Sequence, residues 1–209
     1  MINVLIISSY RLICASLEQI IDKDPGFHVV DVAAKLDEVP RYVSENRVDV
    51  VLLEVCPPSV DHFELIKQML KVNRDLKFLV LCTQASEPLP SQFLQAGAKG
   101  FITRQASVEE VLTAIREVAA GNRYLGVECA QQMALGRVSG ENPFSSLSAR
   151  EMQVMMMITA GRKVMSISDQ LCLSPKTINT YRYRLFSKLG VDSDVTLTRL
   201  AIRQGLMEA

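Results

Sequence analysis

Five side chains in the first half of the chain share one setting: each directly follows a short apolar run. Ser8 and Ser9 follow NVLII, Glu54 follows VVLL, Cys82 follows FLVL and Arg104 follows GFIT. If those runs are neighbouring strands, hydroxyls, a carboxylate, a thiol and a guanidinium gather at one end of a sheet. That is where open α/β sheets bind ligands, outside the carboxyl ends of the strands at the switch point between the first and third. A second group lies far along the chain. Lys176, Thr177, Asn179, Thr180, Tyr183, Arg184 and Lys188 fall within 170–191, a stretch with four cations (Arg182 is the fourth) and no acid. On one helix, Asn- and Thr-type side chains read base edges while Lys and Arg meet phosphates.

Other chemistries find little material. Only His28 and His62 are present, which leaves few candidates for a His-based triad. Cys14, Cys56, Cys82, Cys129 and Cys172 are odd in number, scattered, and show no CxxC or Cys/His spacing. They read as reduced thiols of a cytoplasmic protein, without a zinc site or a disulfide framework. Cys56 and Cys82 as a redox pair is the sharper alternative to inert buried thiols. No metal or cofactor is expected, and an enzyme is not expected.

The elements that would position these groups follow from periodicity. Apolar runs at 4–7, 29–32, 50–53, 78–81 and 100–103 alternate with amphipathic stretches near 11–22, 36–46, 61–73, 88–96 and 107–120. Continuous apolar runs suit strands covered on both faces. Five such βα units over 1–121 predict a five-stranded parallel sheet with right-handed crossovers. Residues 122–146 read as a linker with a turn-like start and one helix near 128–138. From 147 to 209 the pattern is all helical, with helices at 149–160, 164–172, 175–189 and about 194–204. Ser148 and Glu151 form a capping-box start, Ser174-Pro175 opens the third helix, and Gly190 and Gly205 act as stops. A short helix, a tight turn and a longer basic helix is the helix-turn-helix plan. Met155, Met156 and Met157 read as core of its first helix.

Charge supports the same division. Residues 145–209 hold nine Lys/Arg against five Asp/Glu, and residues 1–144 hold 14 against 18. The net charge of zero therefore joins an acidic part to a basic one, and suggests different partners for each. At about 100° per residue, Ile178, Leu185 and Leu189 share one face of the basic helix. Lys176, Thr180, Tyr183 and Ser187 share the opposite face, flanked by Asn179 and Arg184. No apolar run approaches the ~18 residues of a membrane span, and the amino terminus shows no basic leader.

LSAREMQVMMMITAGRKVMSISDQLCLSPKTINTYRYRLFSKLGV resembles the LuxR-type helix-turn-helix of NarL/FixJ response regulators. SPKTINTYRYRLFSKL, LAIRQGL, AQQMAL and NPF resemble the GacA/UvrY/LetA group of that family most closely. The resemblance covers the whole chain, since the five βα units are similar to a CheY-like (flavodoxin-like) receiver. It implies a cytoplasmic, sequence-specific regulator that binds double-stranded DNA as a homodimer. By the same match Lys176 and Arg184 would contact phosphates, Asn179, Thr180 and Tyr183 would reach bases, and the last helix, with Leu197, Leu200 and Ala201, would carry dimerisation. Those three residues read equally well as the domain's own core.

In a working receiver the resemblance implies two acids, a phosphate-accepting Asp, a Ser/Thr and a Lys at the strand ends. Here Ser8, Ser9, Glu54, Cys82 and Arg104 depart at all five. Glu54 moves its carboxylate by roughly 1.5 Å, where ~1 Å matters to transfer geometry. A pseudo-receiver acting without phosphorylation is expected. Glu54 and Arg104 would pair directly and bias Phe101, at the family's aromatic switch position, inward or outward; the plainer alternative is a solvated strand-end carboxylate. A heterodimer with a paralogous true regulator is the rival expectation for the whole chain. Asp61 and His62 read as neutral surface drift.

Overall fold

The computed structural model of the chain describes all residues except 57–58, 84–87, 140–142, 205 and 207–209. The Gly205 stop therefore lies outside the described residues.

Strands and helices alternate as β1 (Ile2–Ile7), α1 (Arg11–Ile21), β2 (Phe27–Ala33), α2 (Val39–Glu45), β3 (Val50–Val55), α3 (Val60–Val72), β4 (Lys77–Cys82), α4 (Leu89–Ala96), β5 (Gly100–Thr103) and α5 (Val108–Ala119). A 3-10 turn, Leu36–Glu38, leads into α2. A sixth strand, β6 (Tyr124–Leu125), and a helix, α6 (Val127–Ser139), follow. The order is β2-β1-β3-β4-β5-β6, and every pair is parallel. The switch of direction falls between β1 and β3, so the sheet opens a crevice beside their carboxyl ends.

The sheet has six strands, not the five that periodicity predicts. β6 is two residues long, too short for an alternating pattern to register. It forms because β5 would otherwise present an unpaired edge. Tyr124 N–H donates to the Lys99 carbonyl at 3.0 Å, and Gly126 N–H to the Phe101 carbonyl at 2.9 Å. Gly100 permits the close packing there, since a Cβ would stand 2.6 Å from Leu79 Cδ1 and 2.8 Å from Val118 Cγ2.

Both sheet faces are buried, which accounts for the continuous apolar strands. Val4, Ile6, Val50, Leu52, Leu79, Leu81 and Ile102 pack under α1 and α5. Leu5, Ile7, Val51, Leu53, Phe78, Val80 and Phe101 pack on the other face against α3 and α4, chiefly Phe63, Ile66 and Phe93. This second core runs on without a break into the helical part, through Met152, Met155, Met156, Ile167, Ile178, Leu185 and Leu197.

The helical part begins with a 3-10 turn, Pro143–Ser146, and contains α7 (Ala149–Thr159), α8 (Val164–Leu171), α9 (Pro175–Leu189) and α10 (Asp194–Arg203). Capping sets three of these starts. The Ser148, Ser174 and Ser193 hydroxyls accept the backbone N–H of Glu151, Thr177 and Thr196, and Pro175 occupies the first turn of α9. The turn between α8 and α9 passes through Cys172 at φ 51°, the left-handed region where glycine is usual. Among the described residues no helix is long and apolar enough to cross a membrane.

Candidate functional site

At the carboxyl end of the sheet the cluster assembles around Glu54, which is the fifth residue of β3 rather than the residue after it. Its side chain is only 2% exposed. Arg104 Nη2 donates to one carboxylate oxygen and Ser8 Oγ to the other. The pair expected from sequence is thus formed in the interior, and the solvated strand-end alternative is not what the fold holds. Ser8 is itself buried and also accepts the Tyr10 N–H at 2.9 Å. Tyr10 lies under the guanidinium, with Arg104 Cζ 5.3 Å from the ring centroid, a cation–π contact no sequence spacing announced. Burial pulls the Arg104 guanidinium down, but the Glu54 hydrogen bond and charge outweigh it and leave the group above its ordinary value. Burial likewise raises the Cys14 thiol, against a lowering hydrogen bond from Ser8, and the Glu54 charge raises it further. Cys14 is therefore a poor nucleophile at neutral pH.

The remaining strand-end residues divide. Ser9 is exposed and Cys82 is buried as the last residue of β4, opposite Thr103 in register. Thr83 Oγ1 donates to Cys56 Sγ at 3.6 Å, and none of the five cysteines forms a disulfide. Phe101 is fully buried on the opposite sheet face from Glu54, in a row with Phe93 at 6.0 Å and Phe63 a further 4.2 Å away. It is thus fixed inward. Two residues later on the strand, Thr103 Oγ1 donates to Glu128 of α6 at 2.6 Å.

The second candidate site is α9. Ile178 and Leu185 are buried against α7 and α8, as the face analysis expects. Lys176, Thr180, Tyr183 and Arg184 are exposed, Tyr183 at 72%, and Thr177 and Asn179 are half-buried beside them. Lys176 and Arg184 make no ion pair among the described residues. The other two cations are engaged. Arg182 Nε donates to Asp194 Oδ1 at 2.7 Å, and Lys188 Nζ donates to Glu151 Oε2 at 2.7 Å and to the Ser146 carbonyl at 3.1 Å. Glu151 is buried, so Lys188 neutralises a core carboxylate that also completes the cap of α7. Burial raises this carboxylate, but the Lys188 and Ser148 hydrogen bonds more than offset it and hold it below its ordinary 4.5. On α10, Leu197 and Ala201 are fully buried and Leu200 packs against the same core. The outward face of α10 carries Val195, Arg199 and Ile202 instead.

Sequence reasoning missed one further group, between the two halves. Asp61 of α3, read as surface drift, accepts from Arg162 Nη2 at 3.0 Å and Gln170 Nε2 at 3.2 Å. Glu64, one turn on, accepts from Gln153 Nε2 at 2.9 Å. No local signal marks these pairs, whose partners lie 89 to 109 residues apart.

Comparison with known proteins places both halves. Residues 4–116 match the response regulator receiver domain, and residues 145–201 match the bacterial regulatory proteins of the luxR family. The chain is 43% identical to the response regulator UvrY of Escherichia coli K12, over all of this chain and 97% of that one. It is 41% identical to the response regulator GacA of Pseudomonas aeruginosa, over all of this chain and 99% of that one. Its fold is similar to RcsB of Salmonella enterica serovar Typhimurium bound to the rprA promoter, with a TM-score of 0.77 at 19% identity, covering 95% of this chain and 97% of RcsB. With a receiver and a luxR-family regulatory domain in one chain, and such identity along its whole length, the protein belongs to the LuxR-type response regulators.

Proposed function

We propose that this chain is a DNA-binding transcription regulator whose receiver works without phosphorylation. The observation that carries the reading is the double engagement of Glu54: Ser8 takes one carboxylate oxygen, Arg104 the other. Phosphoryl transfer to a carboxylate needs a free oxygen in line with the donor and charge neutralisation by metal and lysine. Here the acceptor position holds a longer acid whose oxygens are both occupied. The divalent cation the fold family implies wants several hard, preferably charged oxygens. Ser8 and Ser9 are neutral and the one carboxylate is already paired, so the residues do not fit that ion. The Glu54–Arg104 contact stands where phosphate would otherwise draw the strand-five cation, and Phe101 is held inward. The receiver is thus an interaction platform in one fixed setting.

DNA contact falls to the exposed face of α9. Lys176 and Arg184 meet phosphates, and Asn179, Thr180 and Tyr183 reach base edges in the major groove, with Thr177 at the helix entrance. Lys188 serves the fold through Glu151. The chain acts as a homodimer, because one helix-turn-helix reads too few base pairs for useful specificity. The outward residues Val195, Arg199 and Ile202 are better placed for such a contact than buried Leu197 and Ala201. RcsB in complex with a promoter, similar in fold, is consistent with this mode.

Genome-wide DNA occupancy tests the reading. The Lys176→Ala/Arg184→Ala variant should lose its sites. The wild-type protein should keep the same mass after incubation with acetyl phosphate and Mg²⁺. A phosphorylated Glu54, Ser8 or Ser9, or retained occupancy in the double variant, would refute it.

A further inference from the structure

We infer that Asp61 and Glu64 are positioning residues: they latch the receiver onto the turn of the helix-turn-helix and hold α9 in its reading orientation. The inference rests on the DNA-binding role proposed above, and concerns what sets the direction of the reading helix.

The contacts form two linked networks. Asp61 uses both carboxylate oxygens, one for Arg162 Nη2 at 3.0 Å and one for Gln170 Nε2 at 3.2 Å. Arg162 Nη1 donates to Gln170 Oε1, which closes a ring of three side chains. Glu64 accepts from Gln153 Nε2 at 2.9 Å. Gln153 Oε1 in turn accepts from Arg150 Nη1 at 2.6 Å, and Arg150 Nη2 reaches the Leu171 carbonyl at 2.9 Å. Beneath them Phe63 and Met156, both buried, belong to one continuous core.

Both networks end at the same place. Gln170 and Leu171 are the last residues of α8, directly before left-handed Cys172, whose backbone sets the angle at which α9 departs. The receiver therefore grips the back of the motif at α7 and the end of α8. The reading residues Lys176, Thr180, Tyr183 and Arg184 stay exposed while it does so. A receiver docked over α9 would block DNA. One docked at the turn leaves DNA access open and removes the swivel between domains that a dimer would otherwise have to freeze on binding.

The test is a charge reversal and its rescue. Asp61→Arg places a cation against Arg162; Asp61→Arg/Arg162→Asp restores an opposite-charge pair. Small-angle X-ray scattering on full chains matched for oligomeric state reads docking, and genome-wide occupancy reads function. Asp61→Arg should raise the radius of gyration by about a tenth over the compact chain and lower occupancy about tenfold. The double variant should recover both. Unchanged scattering in Asp61→Arg, opened scattering with wild-type occupancy, or no recovery in the double variant would each overturn the inference. Lys176→Ala/Arg184→Ala is the separate control. If it keeps its sites, the DNA-binding reading itself fails, whatever the latch variants do.

Discussion

Replacing Arg104 by Met leaves the Glu54 carboxylate in the interior with only Ser8 to satisfy it. An exposed ion pair is worth ~0–1 kcal/mol, whereas removing one partner of a buried pair costs ~3–5 kcal/mol. The geometry lies between these limits. The Glu54 side chain is 2% exposed and the Arg104 side chain 29%, so water reaches one partner but not the other. A loss of about 2 kcal/mol follows for Arg104→Met. Glu54→Gln in the same background removes the stranded charge while keeping the volume and a hydrogen-bond partner for Ser8. Glu54→Gln/Arg104→Met should therefore be more stable than Arg104→Met alone, with a coupling of at least ~1 kcal/mol. Urea denaturation followed by circular dichroism on the four proteins of the cycle measures it. If the double variant is as unstable as the sum of the single ones, Glu54 and Arg104 are independent, and the pair does not hold the receiver in its phosphorylation-independent setting.

Lys188→Met should destabilise the helical domain by about 2 kcal/mol at pH 7, because Glu151 loses its cation while staying buried. Glu151 is held below its ordinary value in the folded protein, so the stability it contributes is present above pH 4.5 and is lost as pH falls through the lower folded value. The gap between wild type and Lys188→Met should accordingly close in acid, as pH-dependent urea titrations would show. In binding to a mixed-sequence 30-base-pair duplex, Lys176→Ala should lower the slope of log affinity against log salt by about 1, and Lys188→Met should leave it unchanged. Cys172→Gly should stabilise the chain by about 0.5 kcal/mol in thermal unfolding, since relief of left-handed strain outweighs the entropy glycine adds to the unfolded chain.

Where the sequence was legible, the signal was a burial pattern. Apolar runs covered on both faces marked β1 to β5, and Ser148 and Ser174 sit where helix starts need them. Glu54 and Arg104 each stand at the carboxyl end of an apolar strand of one parallel sheet, and the fold brings their side chains into contact. β6 escaped because two residues carry no period. On α10 the spacing of Leu197, Leu200 and Ala201 is the same for a core stripe and for a dimer seam, and only the packing separates them. The Lys188–Glu151 pair went unannounced because its partners lie 37 residues apart. Asp61 and Glu64 carried no mark at all: their meaning depends on where a separate domain comes to rest.

The sixth strand also fixes where the second domain is tethered. β6 stitches the chain to the sheet edge, and Thr103 and Val127 anchor the start of α6 through Glu128 and Glu110. Only the stretch from α6 to the 3-10 turn at Pro143–Ser146 then separates the receiver from the helical domain. A tether that short confines one domain near the other at an effective concentration in the millimolar range. Contacts too weak to join two separate proteins at micromolar concentration are therefore enough to keep these two domains together. Cut into its two halves and remixed at such dilution, the protein should not reassemble, although every residue of the interface would still be present.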